Sequence, residues 1–200
     1  TTDELAPAIL ALARFTLRSR VERSKILVDK SAAAAELDAV LARVRLLEPT
    51  PDEVEIAADL EAAATAENLS FDAGESQLVA MLMTRGGLAF VSGDKRAARA
   101  ICVVIPDLKR QMICFEQVLH SIVTKSGLKP LRSAICREKA LDRAVTNCFQ
   151  CATKLIDANS ILQALESYSG SLRAETGDLL IETCDMSGAE VAQEDRVGRA

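Results

Sequence analysis

The sequence predicts a helix-rich α/β protein, in which a small parallel sheet is flanked by helices and followed by a helical C-terminal extension. Most of the chain spaces its apolar residues three and four positions apart, which is typical of helices. Short apolar runs between these segments suit strands that are buried on both faces of a parallel sheet. Hydrophobic residues form 49% of the 200 residues, whereas aromatic residues form 3%. The core is therefore expected to consist of helices that pack closely through small side chains.

The first 42 residues are predicted to be helical. One helix is expected to start at Asp3 and to continue through Val21, and a second, alanine-rich helix is expected to run from its N-cap Ser31 to Leu41. Residues 26–29 are interpreted as the approach to the second helix, with a brief strand that ends in an acid as the alternative.

A third helix is predicted after residues 43–47, which form a strand or an extended link. Thr50 precedes Pro51, and two acids follow. This order indicates a helix N-terminus, because proline fits the first turn and acids interact favourably with the helix dipole. The buried side of this helix is expected to carry Val54, Ala57, Ala58 and Ala62.

The most informative stretch is residues 69–101. A helix is predicted to begin at Asp72, to carry Glu75 in its first turn and to end at Gly86 after a basic last turn. A short apolar run then follows as a buried strand, which has Asp94 just beyond its carboxyl end. Helical spacing resumes after that acid, so the unit is helix, strand, helix.

Glu75 and Asp94 are expected to lie in the crevice outside the carboxyl ends of the strands, where open α/β sheets bind ligands. Two carboxylates about 4 Å apart would repel by roughly 4 kcal/mol at an effective dielectric of about 20. A divalent cation removes that repulsion, and hard oxygen ligands suit Mg²⁺ or Mn²⁺. Glu116 is a third candidate ligand, because it directly follows a strand candidate at residues 111–115.

Beyond residue 125 the sequence predicts a helical extension and a tail. Residues 102–105 either finish a helix or form a strand, and residues 127–130 interrupt the chain. The sequence from residue 183 onward is polar with little apolar spacing. The predicted organisation is an α/β domain at 1–125 with a helical N-terminal part at 1–42, a helical extension at 126–170, and a flexible tail at 171–200.

One paired motif resembles the second half of a PIN domain. It combines Asp72-Ala73-Gly74-Glu75-Ser76 with Ser92-Gly93-Asp94-Lys95-Arg96, across one helix and one strand. The resemblance covers residues 45–123 and implies a metal-dependent nuclease with three or four acids around one or two metals. It implies that Glu75 matches the central glutamate and Asp94 the aspartate of the fourth strand. Many members of this family are RNA-cleaving toxins of toxin–antitoxin pairs.

The N-terminal residues depart from this family pattern. PIN domains usually begin with a strand that ends in an aspartate, whereas residues 1–25 are predicted to be helical. Asp3 stands too close to the start of the chain, and Asp29 is a poor match. Either the first strand lies upstream of Thr1 or the site is incomplete, and an incomplete site would bind without cutting.

Each candidate site residue also has a structural role to weigh. Asp72 and Asp94 are suited to cap the helices that follow them, and Glu75 favours the dipole of its own helix. Ser92 could hydrogen-bond an acid, a metal-bound water or the local backbone. The candidates for catalysis are Glu75 and Asp94, and the candidates for metal binding are Glu75, Asp94, Glu116 and Asp72. Lys95 and Arg96 are candidates for nucleic-acid binding, and the alternative for both is that they are only exposed to solvent.

The net charge and the cysteines restrict the class of protein. A net charge of −5 and a pI near 5.1 argue against a chain that holds nucleic acid by its overall field, so any such contact must be local. No apolar run reaches the ~20 residues that span a bilayer, and no signal peptide is visible, which predicts a cytoplasmic protein without a membrane partner. The six cysteines are expected to be reduced core thiols, with a metal or redox role as the alternative.

The predicted function is hydrolysis of phosphodiester bonds in RNA, or in single-stranded DNA, with Mg²⁺ or Mn²⁺ as the cofactor. Predicted partners are the nucleic acid, an antitoxin or another protein, and a second copy in a homodimer. The alternative function is a catalytically incomplete PIN-like or helical module, whose alanine-rich helices pack against a partner chain.

Overall fold

The structure is a computed structural model that describes residues 7–154 and 156–182. In these residues most of the chain is helical and four short strands are present, which confirms the helix-rich α/β class. The strands are β1 (Ala8–Leu10), β2 (Arg45–Leu47), β3 (Phe90–Ser92) and β4 (Met112–Cys114).

Nine α-helices surround these strands in the described part of the chain. They are α1 (Ala13–Arg23), α2 (Lys30–Leu41), α3 (Pro51–Ala66), α4 (Ala73–Arg85), α5 (Lys95–Val104), α6 (Phe115–Ser126), α7 (Leu128–Arg137), α8 (Arg143–Cys148) and α9 (Ala158–Thr176). None of them combines the length and the apolar character that crossing a bilayer requires.

The strands form two parallel pairs. β1 pairs with β2, and β3 pairs with β4. Parallel neighbours require a crossover connection, which α1 and α2 supply for the first pair and α5 supplies for the second. Because both pairs are parallel, the carboxyl ends of β3 and β4 lie at the same edge.

The helical prediction for the N-terminus is wrong at residues 8–10, which form β1, and α1 starts only at Ala13. A strand of three residues is too short to show a period of its own, so its apolar residues matched the spacing of the helix that follows. Residues 1–6, which include the predicted helix start at Asp3, lie outside the described residues.

The start of α2 also differs from the prediction. Asp29, and not Ser31, is its N-cap, because Asp29 Oδ1 accepts a hydrogen bond of 2.9 Å from the backbone N–H of Ala32. Residues 26–29 form no strand and lead into this helix, as preferred from the sequence. The acid at residue 29 is therefore used in capping.

The start of α3 is confirmed. Thr50 Oγ1 accepts from the N–H of Glu53, and Glu53 Oε2 accepts from the N–H of Thr50, so the two residues form a capping box. The buried side is not as predicted, because only Ala57 of the four predicted residues is buried, while Val54 and Ala58 are exposed. Alanine fits either side of a helix, so its spacing did not define the orientation of α3.

Two hydrophobic clusters form the core. The first lies between α3, α4, α5 and the β3–β4 pair, and the second lies between α6, α7, α8 and α9. The predicted domain boundary at residue 170 falls inside α9, and Leu172, Leu179 and Leu180 beyond it are buried in the first cluster. Residues 183–200 of the predicted tail lie outside the described residues.

Candidate metal centre

Three carboxylates meet where α4 begins and β3 ends. Asp72 is the residue before α4, Glu75 lies in its first turn, and Asp94 follows β3 and precedes α5. One carboxylate oxygen of each lies within 4.8 Å of the oxygens of the other two. Glu75 and Asp94, which the sequence predicts to converge, therefore do so.

Ser92 links the two predicted acids. Its Oγ donates a hydrogen bond of 2.7 Å to Glu75 Oε1 and accepts one of 3.0 Å from the backbone N–H of Asp94. Ser92 is the last residue of β3, so the strand fixes the serine and the serine fixes both acids. Two of the three roles considered for Ser92, the acid contact and the local backbone contact, occur together.

Asp72 lies at the N-cap position of α4, but its side chain makes no capping hydrogen bond. It is exposed, and one of its oxygens belongs to the acidic group. The capping role favoured by sequence reasoning is therefore absent. Asp94, in contrast, caps α5 by accepting from the N–H of Arg96 at 2.8 Å.

The pKa values of Glu75 and Asp94 move in opposite directions. Burial raises the pKa of Glu75, and the negative charges of Asp94 and Asp72 raise it further, while the Ser92 hydrogen bond opposes them. Hydrogen bonds from the Arg96 side chain lower the pKa of Asp94. Of these two acids Glu75 is therefore the one that is protonated first as the pH falls, and a proton bound there would compete with a cation.

Arg96 pairs with Asp94 at the edge of the group. Its Nη2 lies 2.5 Å from Asp94 Oδ2, and its Nε lies 3.1 Å from Oδ1. The Arg96 side chain is 62% exposed and the Asp94 side chain 24%. Exposed ion pairs contribute little to stability, so a divalent cation or a phosphate can compete with this one.

Lys95 and Glu116 pair with each other away from the acidic group. Lys95 Nζ lies 3.2 Å from Glu116 Oε1 and 4.6 Å from the centroid of the Tyr168 ring. Glu116 follows β4 closely, but its side chain is buried. Within the described residues it does not belong to the acidic group of Asp72, Glu75 and Asp94. The pair instead joins α5 to α6 beside α9.

The carboxyl end of β1 lies against the start of α4 and contributes no acid. Leu10 Cδ1 is 3.8 Å from the position that a Cβ on Gly74 would take. The residue that follows β1 is Ala11. A first strand is therefore present, contrary to the sequence-based expectation, but it ends without a carboxylate.

None of the cysteines that the structure describes belongs to the acidic group. Cys136 and Cys151 form a disulfide, so the expectation of reduced thiols is wrong for these two. Burial raises the pKa of Cys114 and of Cys148 to about 11, which keeps both as thiols at neutral pH. The single histidine contacts Glu166 instead, so the donor set of the group is oxygen only.

This donor set fits a small, hard cation. Mg²⁺ binds oxygen at about 2.1 Å, so two oxygens on opposite sides of one ion lie about 4.2 Å apart. Ligands that are adjacent on the same octahedral ion lie about 3 Å apart. The three carboxylate oxygens lie within 4.8 Å of one another, so they would have to move closer together to bind one ion. Three carboxylates suit Mg²⁺ or Mn²⁺ rather than zinc or copper.

Comparisons of the chain with protein-family models, with curated proteins and with solved structures found no match. The function of the site is therefore inferred from its own residues.

Proposed function

We propose that this chain is a PIN-like, metal-dependent nuclease that hydrolyses phosphodiester bonds of RNA, and that Asp72, Glu75 and Asp94 hold its Mg²⁺ or Mn²⁺. The observation that carries the proposal is the set of three carboxylate oxygens within 4.8 Å of one another. They lie beside the end of a parallel strand, which is where α/β proteins place their ligands.

The mutual repulsion of the three carboxylates favours the binding of a divalent cation. At 4.8 Å and an effective dielectric of about 20, each ionised pair repels by about 3.5 kcal/mol before solvent reduces it. Arg96 offsets part of this, most strongly at Asp94, with which it forms an ion pair, and less at Glu75. Burial raises the pKa of Glu75, and the charges of Asp94 and Asp72 raise it further. A divalent cation would neutralise all three carboxylates at once.

In the proposed site the residues have distinct tasks. Glu75 supplies a half-buried ligand oxygen whose direction Ser92 fixes, and Asp94 supplies a second from the edge of the strand. The exposed guanidinium of Arg96 is placed to bind a phosphate once it leaves Asp94. The metal, when bound, supplies Lewis acidity and a more acidic bound water.

The second candidate function is a PIN-like or helical interaction module that binds a partner without cutting. Ala11 favours it, because the end of β1, which lies against the start of α4, carries no carboxylate. The three acids could then bind a cation that stabilises the fold and takes no part in catalysis.

The two candidates separate in one set of assays. Single-stranded RNA is incubated with the full chain and Mn²⁺, and the thermal midpoint is measured with and without the metal. The nuclease proposal expects metal-dependent cleavage that falls at least a hundredfold in Glu75→Gln and in Asp94→Asn. The matched control Asp107→Asn, an exposed loop acid, should cleave like the parent chain.

Stabilisation by Mn²⁺ without cleavage would favour the module, and Ala11→Asp would then test whether the missing acid is the cause. Cleavage that survives both Glu75→Gln and Asp94→Asn would overturn the assignment of the site.

A further inference from the structure

Charge is strongly divided along the first half of the chain. Residues 7–45 carry eight Lys or Arg and four Asp or Glu, a net charge of +4. Residues 46–84 carry nine Asp or Glu and no Lys or Arg, a net charge of −9. The basic part contains α1 and α2, and the acidic part contains α3. The two parts are complementary in sign.

The basic part forms a helical hairpin whose two helices the other described residues leave largely uncovered. Neither α1 nor α2 contains a buried residue. Leu12 at the start of α1 is 69% exposed, and Phe15 is 55% exposed. Helices of 11 and 12 residues are marginal alone, and proteins stabilise such helices by burying an apolar face. The apolar side of α1 is therefore open to a partner.

Two arginines of α1 have no ion pair within the described residues. Arg20 and Arg23 are both exposed, and Arg23 uses its Nε on the backbone oxygen of Ser19. Their neighbour Arg18 pairs with Asp38 inside the hairpin. The exposed surface of α1 thus offers both uncompensated positive charge and apolar groups.

The outer side of α3 offers the opposite charge. Glu55 and Asp59, four residues apart and hence neighbours on the helix surface, are exposed and form no ion pair in the part of the chain that the structure describes. Ala58 and Ala62 between and beside them are also exposed. Small side chains at these positions let another helix approach closely.

We propose that α1 of one copy docks on the outer side of α3 of a second copy, so that the chain forms a homodimer with two equivalent helix contacts. A second copy is the partner that matches both surfaces, because each chain presents the basic apolar side and the acidic alanine side together. α3 is long enough to accommodate α1, since α1 extends about 16 Å and α3 about 24 Å. The proposal does not depend on nuclease activity.

Sedimentation velocity of the full chain at micromolar concentrations tests the proposal. A dimer is expected at low ionic strength, with a dissociation constant that rises at least tenfold in high salt. Arg20→Glu with Arg23→Glu should give a monomer, because two acidic surfaces then face each other. Glu55→Lys with Asp59→Lys should do the same with two basic surfaces.

The chain that carries all four substitutions should dimerise again, since both surfaces are reversed. This restored dimer distinguishes a specific contact from loss of folding, and circular dichroism checks the folding of each variant. Lys109→Glu with Lys129→Glu is the matched control of equal charge change and should remain dimeric. A monomeric parent chain at all salt concentrations, or a four-substitution chain that stays monomeric, would overturn the proposal.

Discussion

Glu53 is a buried carboxylate that holds α3 against the end of α4. It is 3% exposed, and it accepts hydrogen bonds of 2.6 Å from both Nε and Nη2 of Arg85. It also accepts from Thr84 Oγ1 at 2.7 Å and from the N–H of Thr50 at 2.8 Å. Because α4 carries Glu75 at its other end, this pair fixes the helix that presents the candidate metal centre.

These contacts favour the ionised carboxylate. The Arg85 hydrogen bonds outweigh burial and lower the pKa of Glu53 from 4.5 to about 2. The difference corresponds to roughly 3 kcal/mol of unfolding free energy. Since the folded pKa is the lower one, this contribution is complete above about pH 5 and is lost as the pH falls from 4.5 to about 2.

Glu53→Gln tests this magnitude, because glutamine keeps the capping box with Thr50 and removes the charge that pairs with Arg85. Urea unfolding followed by circular dichroism should show the variant to be less stable by about 2–3 kcal/mol at pH 7. The difference should shrink below pH 4.5 and vanish near pH 2. Glu55→Gln, an exposed change on the same helix, should cost less than about 0.5 kcal/mol.

A loss below about 0.5 kcal/mol at pH 7 for Glu53→Gln would refute this reasoning. A difference that stays constant down to pH 2 would also refute it, because the effect would then not arise from the charge.

Three further predictions concern the candidate site and the disulfide. Ser92→Ala removes the hydrogen bond that orients Glu75 and should weaken Mn²⁺ binding by about tenfold in calorimetry; an unchanged affinity would show that the serine does not position the acid. Burial raises the pKa of Glu75, so Mn²⁺ affinity should begin to fall with decreasing pH at a higher pH than for an ordinary glutamate. An affinity that is independent of pH down to the ordinary range of glutamate would contradict this. Cys136→Ser removes a disulfide that joins residues 15 positions apart. It should lower the unfolding free energy by about 3 kcal/mol under oxidising conditions and have no effect under reducing conditions. An equal loss under both conditions would contradict the presence of the disulfide.

The stretch that could be predicted from the sequence is the one with the strongest local signals. The start of α4 after Asp72, its end at Gly86 in the left-handed conformation and the capping of α5 by Asp94 follow from residue types that act within a few positions. The capping box at Thr50 is a signal of the same kind. Local geometry also sufficed to predict that Glu75 and Asp94 converge, because one short strand separates their helices.

The contacts between distant residues could not be predicted in the same way. Lys95 reaches Glu116, and Cys136 reaches Cys151, through packing of α6 to α9 that no local spacing encodes. The strand at residues 8–10 is defined by its pairing with β2, and not by its own sequence. Tertiary packing therefore decided which acids join the site and which are used in ion pairs.

The proposed function requires Asp72, Glu75 and Asp94 to bind one divalent cation together. A crystal of the full chain soaked in Mn²⁺ would reveal this cation through the anomalous scattering of the metal. We expect an anomalous peak within about 2.1–2.3 Å of an oxygen from each of the three carboxylates, and we expect the peak to be lost in a Glu75→Gln crystal. Absence of a peak at this position, or a peak that persists without the Glu75 carboxylate, would contradict it.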